Sequence, residues 1–137
     1  MKESDLQEKV TEFQHLKQQI DQSQKQAELI NQQILEFKTI KSTLEEVAKN
    51  KKDTKMLIPL GAGIFLHASL EDTKNVMMNV GSEVSVPKDI PEAIILIEKQ
   101  ISELKDILLE IETQFQQSVV SAQELQSKIQ ELSSEKQ

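Results

Sequence analysis

The second half of the chain carries a hydrophobic repeat that leaves little freedom in how it folds. Ile90, Ile94, Ile97, Ile101, Leu104, Leu108, Ile111, Phe115, Ser118, Ala122, Leu125, Ile129 and Leu132 follow one another at steps of four and three, and only Ser118 is polar. Side chains at this spacing form one narrow stripe along an α-helix, and a stripe that narrow is buried only by another helix wound around it. The predicted helix starts near Asp89–Pro91, where an aspartate can cap and a proline fits the first turn.

A weaker version of the same pattern occupies the first half. Leu6, Val10, Phe13, Leu16, Ile20, Ser23, Ala27, Ile30, Ile34, Phe37, Lys41, Leu44 and Ala48 keep the spacing except for two successive three-residue steps around Phe13. That exception predicts a local overwinding. The lysine-rich break Asn50–Asp53 ends this helix. Each arm has about 45 residues and so measures roughly 68 Å. Equal arms around a central insert predict an antiparallel pair folded back at that insert. Leu6 then lies beside Leu132, Phe13 near Leu125, and Ile34 near Leu104 or Leu108. Ser23 falls opposite Ser118, with Ala27 and Ala122 nearby, so the seam is thin halfway along. Small residues there forfeit most of the ~1.5–3 kcal/mol that burying a leucine or isoleucine contributes. They predict an outer third that frays more readily, although they equally permit closer helix approach.

Between the arms the period changes from helical to two. Ile64, Leu66, Ala68 and Leu70 alternate with Phe65, His67 and Ser69; Val76, Met78 and Val80 repeat the rhythm, as do Val84 and Val86, and Leu57, Ile58 and Leu60 form a fourth short segment. Pro59 cannot donate to a ladder and belongs at an edge or strand end. The breaks at Gly61–Gly63, Glu71–Asn75 and Gly81–Glu83 have turn chemistry. A three-residue Gly81–Glu83 loop sets Val80 against Val84 and keeps the apolar face intact. The insert therefore reads as two β-hairpins, too small to be stable alone. Its apolar side and open edges call for strands from other chains. The expected organisation is a helix over 1–50, an assembly module over 56–87 and a helix over 89–135.

Composition removes most other readings. The 137 residues include no cysteine, which excludes disulfides, thiolate metal sites and thiol catalysis. A net charge of −7 without a single arginine provides no basic stripe for nucleic acid. The start, MKESDLQEKV, lacks an apolar leader segment, and no stretch approaches the length of a membrane span, so a cytoplasmic protein is expected. Gly61-Ala62-Gly63 is not followed by Gly-Lys-Ser/Thr, and a strand rather than a helix comes next, which excludes a phosphate loop. His15 and His67 have no second ligand at metal spacing, and His67 with Ser69 lacks an orienting acid. No enzyme, metal or cofactor is expected.

The insert resembles the central region of the archaeal prefoldin family in its α class. The family's aliphatic-Pro-aliphatic-Gly-Ala-Gly strand end is matched by Ile58, Pro59, Leu60, Gly61, Ala62 and Gly63. Its Asp-Thr turn is matched by Asp72 and Thr73, and its strand ending in Val-Gly by Val80 and Gly81. These letters lie within about residues 57–86, whereas the architecture covers nearly the whole chain. Four strands rather than two point to the α class over the β class.

The resemblance implies a mainly α protein, an antiparallel two-helix coiled coil whose two central β-hairpins join a shared β-barrel on oligomerisation. It implies a hetero-hexamer of two α and four prefoldin β subunits. Unfolded client proteins would be held between the arm tips and passed to a group II chaperonin without ATP. Leu57, Ile58, Leu60, Ile64, Leu66, Leu70, Val76, Met78, Val80, Val84 and Val86 would then form the subunit assembly surface. Leu6, Val10, Phe13, Leu125, Ile129 and Leu132 would meet clients at incompletely buried tips, although the same six also read as ordinary coiled-coil core. Val119 and Val120, off the seam, would add surface. Ile40, Leu96, Ile107 and the run Ala93–Ile97 read as core or subunit interface. The alternative function is a structural coiled-coil subunit that binds one defined partner.

Overall fold

The computed structural model describes residues 2–135. Helix α1 spans Lys2–Lys49, followed by strands β1 (Lys55–Gly61), β2 (Ile64–Ser69), β3 (Asn75–Gly81) and β4 (Val84–Asp89), and then helix α2 (Ile90–Glu135). Contacts divide the chain into a terminal unit, Met1–Ile34 with Glu103–Gln137, and a central unit, Leu35–Ser102.

Within the terminal unit the helices run side by side in opposite directions. Glu12, His15 and Leu16 of α1 share one groove with Ser121, Glu124, Leu125 and Lys128 of α2. Farther along, Gln19, Gln22, Ser23 and Gln26 share another with Gln114, Gln117 and Ser118. This second groove is the expected thin zone, a layer of serine and glutamine in place of aliphatic seam. The seam closes again beyond it, however: Ala122 and Leu125 are only 8 % and 9 % exposed. Ala122 admits close approach there and Leu125 fills the next layer.

The seam of α2 follows the sequence repeat, with each of the positions from Ile90 to Leu132 buried or half-buried. That of α1 departs from it at both ends. Lys9 and Val47 are half-buried, whereas Val10 and Ala48 are exposed. The half-buried positions Leu6, Lys9, Phe13, Leu16 and Ile20 restore regular steps of three and four, so the expected overwinding at Phe13 is absent. A lysine is tolerated at a half-buried position because its methylene stem can cover apolar surface while its ammonium stays in water.

In the central unit Lys41 of α1 bonds Glu98 of α2, Nζ to Oε1 2.9 Å. Ile90, Ala93, Ile97 and Ile101 form its buried apolar strip. Helix α1 ends as Asn50 Nδ2 donates to the Glu46 carbonyl and Asp53 turns to φ 69°. Helix α2 begins with the cap that its sequence predicts: the Glu92 amide donates to Asp89 Oδ1 at 2.8 Å.

The strands make two separate antiparallel hairpins, β1–β2 and β3–β4. In the first, Met56 pairs with Ala68, Leu57 with His67, Ile58 with Leu66, Pro59 with Phe65 and Gly61 with Ile64. In the second, Val76 pairs with Lys88, Met77 with Pro87, Met78 with Val86, Asn79 with Ser85 and Gly81 with Val84. The expected Gly81–Glu83 loop is corrected here. The turn has two residues, Ser82 and Glu83 at φ 48° and 62°, and the extra residue is taken up by a bulge at Val80, which has no cross-strand partner. Gly81 adopts φ 124° and its amide donates to Asn79 Oδ1 at 2.9 Å, a local bond that holds the bulge. The first hairpin repeats the device with a bulge at Leu60, Gly61 at φ 114° and Ala62–Gly63 in the turn. Positive φ at both turn residues matches the twist of the flanking strands. Strand β4 extends through Pro87 to Asp89 and leads directly into α2. Leu70 lies just past β2, yet its amide donates to the Thr54 carbonyl at 2.9 Å and its carbonyl accepts from Asp53, extending the ladder.

Candidate functional site: an apolar hairpin surface

In a two-stranded ladder, paired residues share a face and alternate faces along each strand. Ile58, Leu66, Met56, Ala68 and Ile64 therefore occupy one face of the first hairpin. Leu57, Pro59, Phe65 and His67 occupy the other. Both faces are open: Leu57 is 56 % exposed, Leu66 54 % and Phe65 54 %, and Met56, Ile58, Leu60 and Ile64 are exposed with them. Seven large apolar side chains crowded into residues 56–66 are far more than the scattered single residues of an ordinary surface.

Two of these were not evident from alternation alone. Phe65 reads in sequence as the off-face neighbour of Ile64 and Leu66, and Met56 lies outside the expected strand. Leu57, grouped with Ile58 on the assembly surface, points to the opposite side, beside Phe65. The signal was the uninterrupted apolar runs Leu57–Leu60 and Ile64–Leu66, which are typical of strands covered on both faces.

The second hairpin is different. Val76, Met78 and Val86 are half-buried on one face, and Leu70 beyond β2 is half-buried too. Val80 and Val84 near the turn are exposed, as is Met77, which lies opposite Pro87 on the face that also carries Asn75, Asn79 and Ser85. The connection between the hairpins is fixed by Asp72, whose Oδ1 accepts from the Lys74 and Asn75 amides at 2.7 and 3.0 Å. These backbone bonds hold its carboxyl below the usual aspartate range.

In the terminal unit the six tip residues behave unequally. Leu6, Phe13, Ile129 and Leu132 are half-buried, Leu125 is buried, and Val10 is 37 % exposed. Lys17 Nζ lies 5.2 Å from the Phe13 ring centre, in cation–π range. Leu125 shares a groove with Leu16 of α1. Val119 is half-buried and Val120 exposed. Among the described residues no group of three or more His, Cys, Asp or Glu is placed to hold a metal ion, and no helix is long and apolar enough to cross a membrane.

The family model described as "Prefoldin subunit" matches residues 16–135. "Prefoldin subunit alpha" of Pyrococcus horikoshii is 33 % identical over 125 residues, spanning 85 % of this chain and 84 % of that one. "Prefoldin subunit alpha 1" of Thermococcus kodakarensis is 33 % identical over 98 residues, spanning 72 % and 67 %. The fold is similar to a chain in the cryo-EM structure of filamentous PFD from Methanocaldococcus jannaschii, with TM-score 0.67, 22 % identity and coverage of 89 % and 95 %. With two long helices, a pair of hairpins between them and homology over most of its length, the chain belongs to the prefoldin family of chaperone subunits.

Proposed function

We propose that this chain is the α-class subunit of a cytoplasmic, ATP-independent holdase. It assembles through its hairpins with prefoldin β subunits into an α2β4 hetero-hexamer, holds unfolded clients on the ends of its helices, and delivers them to a group II chaperonin. The observation that carries the reading is the seven-residue apolar surface of the first hairpin, which faces water in the single chain. Burying each of those side chains contributes up to ~1.5–3 kcal/mol, and sister hairpins supply both the apolar cover and the edge pairing. A shared barrel meets both needs at once, because closure leaves no free edge. Leu57, Ile58, Leu60, Ile64, Leu66, Val80 and Val84 offer exposed surface for it, while Leu70, Val76, Met78 and Val86 contribute from half-buried positions.

Clients are bound at the helix ends, where Val10 is already open and Leu6, Phe13, Leu125, Ile129 and Leu132 exchange contacts with one another for contacts with a client. Individual contacts are weak, and several arms on one chain raise the affinity without chemical energy. The test is suppression of aggregation of an unrelated unfolded protein, without nucleotide, by the assembled protein and by a version lacking residues 1–13 and 125–137. The trimmed protein should remain assembled and lose protection. If it protects as well as the intact protein, clients bind elsewhere. If the intact protein protects nothing, the chain is a scaffold for a defined partner.

A further inference from the structure

We propose that the outward face of α2 in the terminal unit is a docking strip for client segments that are both apolar and basic, centred on Leu109, Thr113 and Val120. This rests on the client-holding reading and adds to the tip contacts, which remain necessary for protection, a weaker second contact that selects a class of client sequence.

Leu109 and Val120 are 64 % and 53 % exposed. With 3.6 residues per turn they share one face with Thr113, opposite the seam formed by Leu108, Ile111, Phe115 and Ala122. Leu109, Glu112, Thr113, Gln116, Gln117 and Val120 line a shallow concavity there, so the two aliphatic side chains stand at either end of a polar floor. They are eleven residues apart, about 16 Å along the axis.

Charge selects the occupant. The terminal unit carries 13 of the chain's 23 acidic residues against 7 of its 16 lysines, a net −6, whereas the central unit carries 10 against 9, a net −1. On α2 the imbalance is steepest. Residues 103–134 contain Glu103, Asp106, Glu110, Glu112, Glu124 and Glu131 against Lys105 and Lys128. None of these carboxylates belongs to an ion pair among the described residues, where the cross-helix and i,i+4 pairs are Lys25–Asp21, Lys41–Glu98 and Lys88–Glu92. Asp106 and Glu124 bracket the Leu109–Val120 strip on its own face, and Glu110 and Glu112 flank it. A second copy of this chain would bring the same negative charge to the strip, and nucleic acid and anionic lipid are repelled likewise. An unfolded segment with apolar residues set among lysines or arginines matches both the aliphatic ends and the carboxylate border. Non-native basic proteins expose many such segments.

The test uses the assembled full-length protein and dye-labelled peptides that share one apolar pattern, with lysine, glutamine or glutamate at the intervening positions. At low salt the lysine peptide should bind about tenfold more tightly than the glutamine peptide, the glutamate peptide should bind least, and the spread should shrink as salt rises. The double variant Leu109→Ser with Val120→Ser should weaken lysine-peptide binding about tenfold, in line with the loss of two apolar contacts. Asp106→Asn, Glu110→Gln, Glu112→Gln and Glu124→Gln together should remove the charge preference and leave glutamine-peptide binding unchanged. Equal binding of all peptides, or lysine-peptide binding unaffected by both variants, overturns the proposal while leaving client holding intact. If no peptide binds at all, both readings fail. A change in assembly mass in the Leu109/Val120 variant would mark the face as a subunit contact and also overturn the proposal.

Discussion

Lys41 and Glu98 meet across the two helices of the central unit, Nζ to Oε1 2.9 Å, at a seam position that would ordinarily hold an aliphatic side chain. The hydrogen bond to Glu98, and then its charge, raise the Lys41 pKa above the ordinary lysine value. Both side chains remain partly open to water, so the bond contributes more to alignment than to stability. A polar group at one seam position penalises registers that would leave it unpaired.

Replacing Lys41 with leucine should therefore raise the thermal midpoint by a few degrees, because an aliphatic side chain fits the seam better. Glu98→Gln should lower it slightly, and the difference should shrink in high salt. The sign with pH follows from the raised pKa. The contribution of Lys41 is intact below the ordinary lysine range and is lost as pH climbs through the higher folded value. Circular dichroism melts of both variants across alkaline pH check this; a midpoint unchanged by Glu98→Gln at every pH would remove the pair's role.

The Ser82–Glu83 turn holds two non-glycine residues at positive φ, where each costs about 1 kcal/mol. Asn-Gly in their place should stabilise the second hairpin by ~1–2 kcal/mol, because that pair suits a turn with both residues left-handed. Chemical denaturation monitored at the hairpin reads the gain. A loss of stability would mean that Glu83 makes a contact essential to the assembly.

Asp89→Ala should cost about 1 kcal/mol by removing the acceptor of the Glu92 amide at the start of α2. Asp89→Asn should recover most of it. Asp72 provides the acid-side counterpart: its carboxyl is held low by the Lys74 and Asn75 amides, so its support is present above the ordinary aspartate range and fades as pH falls through the lower folded value. Amide shifts of Lys74 and Asn75 followed by NMR through acid titration should move together with Asp72, and Asp72→Asn should abolish the transition.

The serine–glutamine layer predicts a local weak point. Amides near Ser23 and Ser118 should exchange faster than those near Ile34 and Leu104, and Ser118→Leu should slow them and add ~1 kcal/mol of stability. Uniform exchange along the terminal unit would mean that close approach at Ala27 and Ala122 fully compensates.

These cases show what was legible in the residues and what was not. The α2 seam could be read directly, because thirteen positions in strict four-three steps admit one helical face. The cap at Asp89 and the existence of two hairpins rested on equally local chemistry. Lys9 displaced Val10 from the α1 seam because the register is set over many turns, and one residue's hydrophobicity cannot shift it. The bulge at Val80, which shortens the expected Gly81–Glu83 loop to Ser82–Glu83, depends on the Asn79–Gly81 bond and on positive φ at Ser82 and Glu83, which composition does not reveal. The second apolar face, with Leu57 and Phe65, is not evident from the alternation along any single strand. The pairing across strands exposes it.

The mass of the purified chain in solution, alone and mixed with a prefoldin β-class subunit, bears most directly on the central claim, with Leu66→Asp measured alongside. Wild-type chains should be found only in multi-chain complexes. Leu66→Asp should be a helical monomer, because a carboxylate in the shared apolar interior costs several kcal/mol. A wild-type chain that stays single both alone and in the mixture, or a Leu66→Asp chain that assembles as well as wild type, would contradict the account.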